Sequence, residues 1–265
     1  MSKPGVIILT GYGINCEEET AHVFSEAGAA VRIWHINDLI ENKNILKENQ
    51  IFVFPGGFSY GDDTGSGKAL ATKIINNLSE EFMSFMKRDV LIMGICNGFQ
   101  VMTNLGIVPG YGDFGHSEVA LDHNSKNRYE CRWVHLKLNN KIYFKDMDVI
   151  KVPVAHGEGN FYADEKVINK LIENDQIAAY YCDENGKMAN GVFPLNPNGA
   201  LRDIASITDR TGRFIGMMPH PERNFLFSQR DDYAYQKEVI LRKGGTLPEF
   251  SEGMKIFRNA VNYFK

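Results

Sequence analysis

The amino-acid sequence predicts an α/β fold: a mostly parallel open sheet flanked by helices, with antiparallel strands added at its edge. Short apolar runs, typical of strands buried on both faces, occur at residues 6–10, 31–34, 51–54 and 90–95. Amphipathic stretches separate these runs. Because strands that alternate with helices are usually parallel and joined by right-handed crossovers, this order indicates a parallel sheet.

Helices are predicted where apolar residues recur at helical spacing and where a residue typical of a helix end follows. Residues 16–28 carry apolar side chains on one helical face and close with Gly28, which suits a helix C-cap. Residues 66–87 predict a longer helix. Apolar residues recur at helical spacing between residues 250 and 264, so a helix docked on the sheet is expected to close the chain.

The middle of the chain has a different pattern. Residues 129–138 alternate like a strand with one wet face, and residues 148–161 contain a proline inside an apolar run, which suits a strand at the sheet edge. A hairpin is predicted around Thr211–Gly212. Residues 224–249 are polar and show no convincing period, so no element is predicted there.

Length and charge limit the classes of protein that this chain can belong to. At 265 residues it is long enough for two domains, but no linker, repeat or low-complexity tract divides it. A single domain over residues 1–265 is therefore predicted. The formal net charge of -4 gives no basic excess to hold DNA or RNA, so a nucleic-acid partner is not expected.

Cysteine usage and hydropathy indicate a cytoplasmic protein. The four cysteines lie far apart, without the short paired spacing of a zinc site or dithiol, so neither disulfides nor a structural metal are expected. The N-terminal apolar stretch is too short for a secretory signal, and no later segment is long enough to span a bilayer. We therefore expect a cytoplasmic location and no membrane partner.

Cys96 lies where an apolar run breaks into a helical segment, between Gly94 and Gly98. The pattern Gly-x-Cys-x-Gly has the spacing of the nucleophile elbow, in which small residues let strand and helix approach closely. The helix N-terminus would favour the thiolate form of the sulfur. Cys96 is therefore the predicted nucleophile; the alternative is that it fills the core, as a single cysteine in an apolar setting often does.

A nucleophilic thiol needs a base and an orienting group, and His220 and Glu222 supply both residue types. Prolines before and between them predict extended backbone, in which residues two apart project to the same side. Glu222 would then orient the imidazole of His220, as in a catalytic triad. The alternative is a surface histidine beside a solvated carboxylate.

The glycine-rich residues 55–63 follow another apolar run. Backbone amides at such a position can stabilise a developing oxyanion, and the amides of Gly57 and Asn97 are the candidates for this role. The alternative for the glycine pair is a simple turn.

Five segments together resemble the class I, triad-type glutamine amidotransferases, and most closely the glutaminase subunits of phosphoribosylformylglycinamidine synthases. They are PGGFSYGD at 55–62, GICNGFQ at 94–100, CRWV at 131–134, PVAHGEGNF at 153–161 and MMPHPER at 217–223. The resemblance covers nearly the whole chain and implies a flavodoxin-like fold. Residues 63–70 and 228–245 match no pattern of this family that we can place.

The resemblance implies that Cys96 attacks the side-chain amide of glutamine and forms a glutamyl thioester. It also implies that His220 donates a proton to the departing ammonia and then activates the water that releases glutamate. It implies glutamine contacts by Phe58 and Gln100, and, through the loop around His156, substrate positioning or communication with the partner. His156 and Glu158 are too few for a metal site, so no metal is predicted.

The partner implied by the resemblance is the large synthetase subunit of de novo purine (IMP) biosynthesis, which would use the ammonia. A further small bridging subunit is an open question. No Gly-x-x-x-x-Gly-Lys-Ser/Thr loop occurs here, so no cofactor is expected in this chain, and ATP and Mg are expected on the synthetase.

Two alternative functions remain open at this stage. One is a free-standing hydrolase on the same scaffold, such as a cysteine peptidase or a γ-glutamyl hydrolase. The other is a non-catalytic binding subunit that kept the fold.

Overall fold

The structure is a computed structural model that describes residues 3–265. Its strands are β1 (Gly5–Thr10), β2 (Ala30–His35), β3 (Ile51–Phe54), β4 (Leu91–Ile95), β5 (Val119–His123), β6 (Glu130–Leu138), β7 (Val149–His156), β8 (Glu158–Ala163), β9 (Ile177–Cys182), β10 (Ile204–Thr208) and β11 (Phe214–Met217). Its α-helices are α1 (Glu17–Glu26), α2 (Ile36–Glu41), α3 (Ile45–Glu48), α4 (Lys68–Met86), α5 (Asn97–Asn104), α6 (Glu165–Glu173), α7 (Tyr233–Arg242) and α8 (Gly253–Asn262).

Nine strands form the central sheet, in the order β2-β1-β3-β4-β11-β10-β9-β6-β7. The first five of these are parallel neighbours, and β10, β9, β6 and β7 extend the sheet by antiparallel pairing. The predicted fold class is therefore confirmed, including the antiparallel additions at the edge. Pro153 lies in β7 at the end of the sheet, where a missing N–H is tolerated.

Helices cover the parallel part of the sheet because their apolar stripes need burial. The helices α1 and α8 pack together through Phe24 and Phe257, whose ring centroids are 5.0 Å apart. On β3, Phe52 and Phe54 pack against Phe82 of α4. No helix within residues 3–265 is long and apolar enough to cross a membrane.

The structure differs from the sequence-based expectation in several places. The run at residues 31–34 was expected to be buried on both faces, but it forms β2 at the sheet edge, where Ile33 is 41% exposed. The helices α2, α3 and α6 and the strand β9 were not predicted.

The segment 224–249, for which no element was predicted, contains α7, none of whose residues is buried. A helix without a buried face has no apolar period to detect. Residues 148–161 were expected to form one strand at the edge of the main sheet, but they divide between β7, which pairs with β6 there, and β8. The strand β8 pairs instead with β5 in a separate two-stranded sheet.

Strand register brings three chain segments to one edge of the sheet. Phe54 at the end of β3 pairs with Gly94, and Met217 at the end of β11 pairs with Ile95. Since parallel strands end at the same edge, the residues that follow β3, β4 and β11 lie side by side.

Candidate active site

The turn between β4 and α5 places Cys96 in a conformation that few non-glycine residues adopt, with φ 52° and ψ -111°. The two flanking glycines make this turn sterically allowed. A Cβ on Gly98 would lie 1.9 Å from the carbonyl oxygen of Phe54, and one on Gly94 would lie 2.5 Å from Sδ of Met102. Strand and helix therefore approach as the elbow pattern predicts.

Cys96 is 6% exposed and is held against the end of β11. Its N–H donates to the carbonyl oxygen of Met217 at 2.8 Å, and its Sγ lies 3.8 Å from the carbonyl oxygen of Ala155. A Cβ added to Gly56 would be 2.8 Å from Cε1 of His220 and 3.5 Å from Cβ of Cys96. The structure thus brings the thiol and the imidazole together around Gly56.

His220 and Glu222 form a buried pair. The distance from Nδ1 of His220 to Oε1 of Glu222 is 2.5 Å, and the two residues are 1% and 0% exposed. The backbone N–H of His220 donates to the carbonyl oxygen of Pro153 at 2.8 Å, which anchors the segment to β7. Burial opposes the imidazolium, but the negative charge of Glu222, and after it that of Cys96, raises the pKa of His220.

The predicted reason for this pairing was wrong in one respect. Pro221–Arg223 form a single 3₁₀ turn, in which the N–H of Arg223 donates to the carbonyl oxygen of His220 at 3.2 Å. The side chains of His220 and Glu222 meet through this turn and not through extended backbone. Pro221 takes the first position of the turn, where its missing N–H has no cost.

Nε2 of His220 is buried and has no hydrogen-bond partner in the part of the chain that the structure describes. With Nδ1 engaged by Glu222, it is the nitrogen left to exchange a proton with Cys96. This arrangement can support nucleophilic attack by a thiolate, because a base and its orienting group are in place.

The amides of Gly57 and Asn97 lie next to the elbow. Within residues 3–265, neither donates a hydrogen bond, whereas the neighbouring Phe58 N–H donates to the carbonyl oxygen of Gly13 at 2.8 Å. Gly57 has a φ of +149°, and a Cβ there would lie 2.7 Å from the backbone of Gly13 and Ile14. Only glycine fits where the loop passes Gly13 and Ile14. The preceding residue, Gly56, places the loop against the elbow, since a Cβ there would lie 3.5 Å from Cβ of Cys96.

The side chain of Asn97 fastens the glycine loop to the elbow. Its Oδ1 accepts from the N–H of Ser59 at 3.1 Å, and its Nδ2 donates to Oδ1 of Asp62 at 3.1 Å and to Oε1 of Gln100 at 2.9 Å. Gln100 in turn donates from Nε2 to the carbonyl oxygen of Glu158 at 2.7 Å. This network fixes the two free amides relative to each other.

The residues predicted to contact glutamine differ in exposure. Phe58 is 44% exposed beside Gly57, so it is open to a ligand. Gln100 is 5% exposed, and both polar atoms of its side chain bond to the protein. Gln100, Ser66 and Glu158 also line a cleft of about 490 Å³ one helical turn from Cys96.

His156 is 2% exposed at the end of β7. Its Nδ1 lies 3.1 Å from Oδ1 of Asn124, and Nδ2 of Asn124 donates to the carbonyl oxygen of His156 at 2.8 Å. The ring lies flat against Gly159, where a Cβ would be 2.4 Å from it. Burial, and then the charge of His220, lower the pKa of His156 to about 3, so the ring is neutral.

Sequence analysis missed several residues that the structure places around the site. Asp62 accepts from Asn97, and the hydroxyl of Ser66 donates to the carboxylate of Glu158. Burial raises the pKa of Asp62. Asp62 is the last residue of the resembling segment 55–62, and Ser66 lies four residues beyond it. No local pattern indicated their roles, because their partners lie 35 and 92 residues away.

A second group of missed residues lies behind the triad. The potential ligand atoms of Cys16, Glu19, His220 and Glu222 all lie within 4.8 Å of one another, a spacing that could hold a metal ion. The guanidinium of Arg223 lies in this cluster, however, and donates to Sγ of Cys16 at 3.0 Å and to Oε1 of Glu19 at 2.8 Å. The prediction that the chain binds no metal stays a prediction.

Comparison with known proteins agrees with this geometry. The model of the CobB/CobQ-like glutamine amidotransferase domain matches residues 3–264. The phosphoribosylformylglycinamidine synthase subunit PurQ of Methanococcus maripaludis is 54% identical over 98% of this chain and 97% of its own length. The subunit of the same name from Dehalococcoides mccartyi is 41% identical over 99% of this chain and 98% of its own length.

Solved structures show the same relationship. The structure entitled "Structure of PurLQS from Thermotoga maritima" matches with a TM-score of 0.71 and 26% identity over 100% of both chains. A glutamine amidotransferase from Thermotoga maritima shares the fold, with a TM-score of 0.52 at 15% identity, over 92% of this chain and 86% of that one. The chain therefore belongs to the glutamine amidotransferase family, in the branch formed by the PurQ subunits of phosphoribosylformylglycinamidine synthases.

Proposed function

We propose that this chain is the glutaminase subunit of a phosphoribosylformylglycinamidine synthase and supplies ammonia to a synthetase subunit. The observation that carries the proposal is the meeting of Cys96 and His220 around Gly56, with Glu222 bonded to the far nitrogen of the imidazole. Relatives that span the whole chain and carry this name supply the acceptor reaction.

The first chemical step is attack by the Cys96 thiolate on the carboxamide carbon of glutamine. A carbon–sulfur bond forms, and the electron pair of the C=O bond moves onto oxygen. The free amides of Gly57 and Asn97 are placed to donate to this oxyanion, and one such donor is typically worth about 3 kcal/mol in the transition state.

Collapse of this intermediate breaks the carbon–nitrogen bond. His220, charged as an imidazolium, donates the proton of Nε2 to the leaving nitrogen, and ammonia departs. The glutamyl thioester on Cys96 remains. Neutral His220 then takes a proton from water, hydroxide adds to the thioester, and glutamate leaves as the sulfur is released as thiolate beside the recharged imidazolium.

Glu222 acts on this cycle through His220 alone. Its carboxylate accepts the hydrogen bond from Nδ1, which fixes the ring with Nε2 toward the thiol and stabilises the imidazolium. We assign glutamine binding to Phe58, Gln100 and His156. Gln100 lines the cleft, Phe58 follows Gly57, and His156 follows Ala155, whose carbonyl oxygen lies 3.8 Å from Sγ of Cys96.

The proposed partner is a large synthetase subunit that binds ATP and Mg, with a further small subunit bridging the two chains. The support is the solved structure of PurLQS, which this chain matches over its full length. Residence in the cytoplasm, expected from the sequence, is part of this proposal, and cell fractionation tests it.

The decisive experiment compares two nitrogen sources in the complex reconstituted with the synthetase. The variant Cys96→Ser should lose synthesis from glutamine and keep synthesis from added ammonium, because the synthetase needs only ammonia. The matched control is Cys131→Ser, which removes an exposed thiol and should keep both activities.

Two outcomes would contradict the proposal. Loss of both activities in Cys96→Ser would mean that Cys96 supports the structure of the complex. Rapid hydrolysis of peptides or γ-glutamyl conjugates by the isolated chain would instead show a free-standing hydrolase.

A further inference from the structure

Arg223 lies directly after the triad carboxylate and has no part in the chemistry described above. We propose that Arg223 is a positioning residue whose guanidinium balances the buried negative charge of the triad and so sets the pH range in which Cys96 reacts. This inference rests on the proposed function and names a control on that same site.

The first step is the charge balance of the reactive state. Cys96 is then a thiolate, Glu222 a carboxylate and His220 an imidazolium, so two negative charges face one positive charge. All three residues are nearly or fully buried. An uncompensated buried charge is costly, which means that a second cation is required nearby.

The second step identifies that cation. His156 is the other ionisable side chain that β7 brings near His220, and it is neutral. Oε2 of Glu222 has no hydrogen-bond partner in the described part of the chain, so hydrogen bonding does not compensate its charge. Arg223, one residue along the same turn, carries the nearby fixed positive charge. Burial opposes its guanidinium form, but the hydrogen bond to Glu19, and after it the electrostatic interactions with Cys16, Glu19 and Glu222, raise the pKa of Arg223.

The third step concerns how the guanidinium is held. Its Nε donates to Oε1 of Glu19 at 2.8 Å and its Nη2 donates to Sγ of Cys16 at 3.0 Å, both at the start of α1. Sγ of Cys16 is also one of the four clustered atoms that include a carboxylate oxygen of Glu222. The guanidinium therefore contacts two of the four residues of the cluster that could have held a metal ion.

Cys16 contributes an acceptor and no charge. Burial, and after it the negative charge of Glu222, raises the pKa of the Cys16 thiol, so the thiol stays neutral under ordinary conditions. Glu19 pairs with Arg223 at 2.8 Å and adds a second carboxylate to the cluster, but it is partly exposed, so water screens its charge more than the buried charge of Glu222. Removing Glu19 or Arg223 thus changes the charge behind the triad in opposite directions.

Few other titratable groups face this turn. From α1 these are Cys16 and Glu19, from β7 His156, from the elbow Cys96, and from the residue before β6 Tyr129, which lies within electrostatic reach of Cys96, Arg223 and Cys16. The helix α8 meets the turn through Gly253, which has no titratable side chain.

The test follows the inactivation of Cys96 by 6-diazo-5-oxo-L-norleucine, a glutamine analogue with an electrophilic carbon, as a function of pH in the reconstituted complex. Loss of the positive charge of Arg223 disfavours the negatively charged thiolate. The acid limb is the pH range in which the inactivation rate rises as the thiolate forms. We expect Arg223→Met to move this limb to higher pH by about one unit, the effect of removing a nearby unit charge. Arg223→Lys should keep the wild-type limb.

The matched control is Glu19→Gln, which removes the opposing charge and keeps the arginine. Its acid limb should move to lower pH, which a purely structural role of the salt bridge does not explain. If Arg223→Met does not fold, as judged by thermal unfolding, Glu19→Gln decides, and an unchanged or raised acid limb overturns the proposal.

Two different results would distinguish failure of the Arg223 proposal from failure of the proposed function. Slower inactivation of Arg223→Met at every pH with an unshifted limb would overturn the role of Arg223 and leave the proposed function standing. Wild-type complex that shows no glutamine-dependent synthesis and no labelling of Cys96 would overturn the proposed function, and this inference with it.

Discussion

Gly98 is the second residue of α5 and lies against β3, so its substitution tests whether close approach of strand and helix builds the site. The change is Gly98→Ala. The added Cβ would lie 1.9 Å from the carbonyl oxygen of Phe54 and 2.5 Å from its carbonyl carbon. These are backbone atoms in the sheet, so the helix has to move by roughly 1 Å or more to relieve the contact.

The expected magnitude combines two opposing effects. Alanine is favoured over glycine inside a helix by about 1 kcal/mol, whereas forcing an extra methyl group into a packed interior costs about 1 to 3 kcal/mol or more. We expect a net loss of about 2 kcal/mol in the free energy of unfolding. Because α5 begins at Asn97, displacement of about 1 Å should also lower glutamine-dependent synthesis by about 100-fold.

Urea unfolding and the rate of glutamine-dependent synthesis measure the two effects. The control is Gly191→Ala, since Gly191 has a φ of +73° with nothing within 4 Å of an added Cβ. That variant should lose about 1 kcal/mol from backbone strain and keep its activity. Wild-type stability and activity in Gly98→Ala would refute the argument that the strand–helix contact positions the oxyanion amides.

Three further predictions follow from the site and its surroundings. Glu222→Gln should slow glutamine-dependent synthesis by about 10⁴-fold and His220→Ala by about 10⁶-fold, because orienting the base is worth less than the base itself; equal losses would contradict this order. In the folded chain the pKa of His156 is lowered from the ordinary 6.5 to about 3. Below pH 6.5 the unfolded chain therefore binds a proton that the folded chain does not, so folding stability should fall as the pH drops. The slope that this residue adds is about 1.4 kcal/mol per pH unit, and urea midpoints of His156→Asn should decline less steeply between pH 6.5 and 4, whereas an identical slope would argue against it. The fully buried hydroxyl of Tyr143 donates to the backbone carbonyl of Arg213 at 2.7 Å, so Tyr143→Phe should cost about 1 to 2 kcal/mol in urea unfolding, and an unchanged midpoint would contradict that expectation.

The elements that were predicted are ones whose burial produces an apolar run or period in the sequence. Such a pattern was not sufficient, because α6 and β9 also have buried residues and were not predicted. The run at residues 51–54 is fully buried as β3, and the helical period near the C-terminus corresponds to α8. The helix α7 was not predicted, because a helix with no buried residue carries no such pattern.

In the candidate site, too, the features formed by neighbouring residues could be predicted and the long-range contacts could not. The elbow around Cys96 could be predicted because its glycines and nucleophile lie within five residues. The links from Asn97 to Asp62 and from Gln100 to Glu158 span 35 and 58 residues and could not be read from local spacing.

The sequence alone determined the buried strands β1, β3 and β4, the strained turn that carries Cys96, and the helices α1, α4 and α8. These features depend on neighbouring residues, whose hydrophobicity and backbone freedom act over a few positions. Only the tertiary structure decided that β11 pairs in parallel with β4, which brings His220 to Cys96, and that Arg223 closes on Glu19 across 204 residues. Such contacts depend on strand order and on packing between distant segments, and their free energy has no counterpart in local sequence pattern.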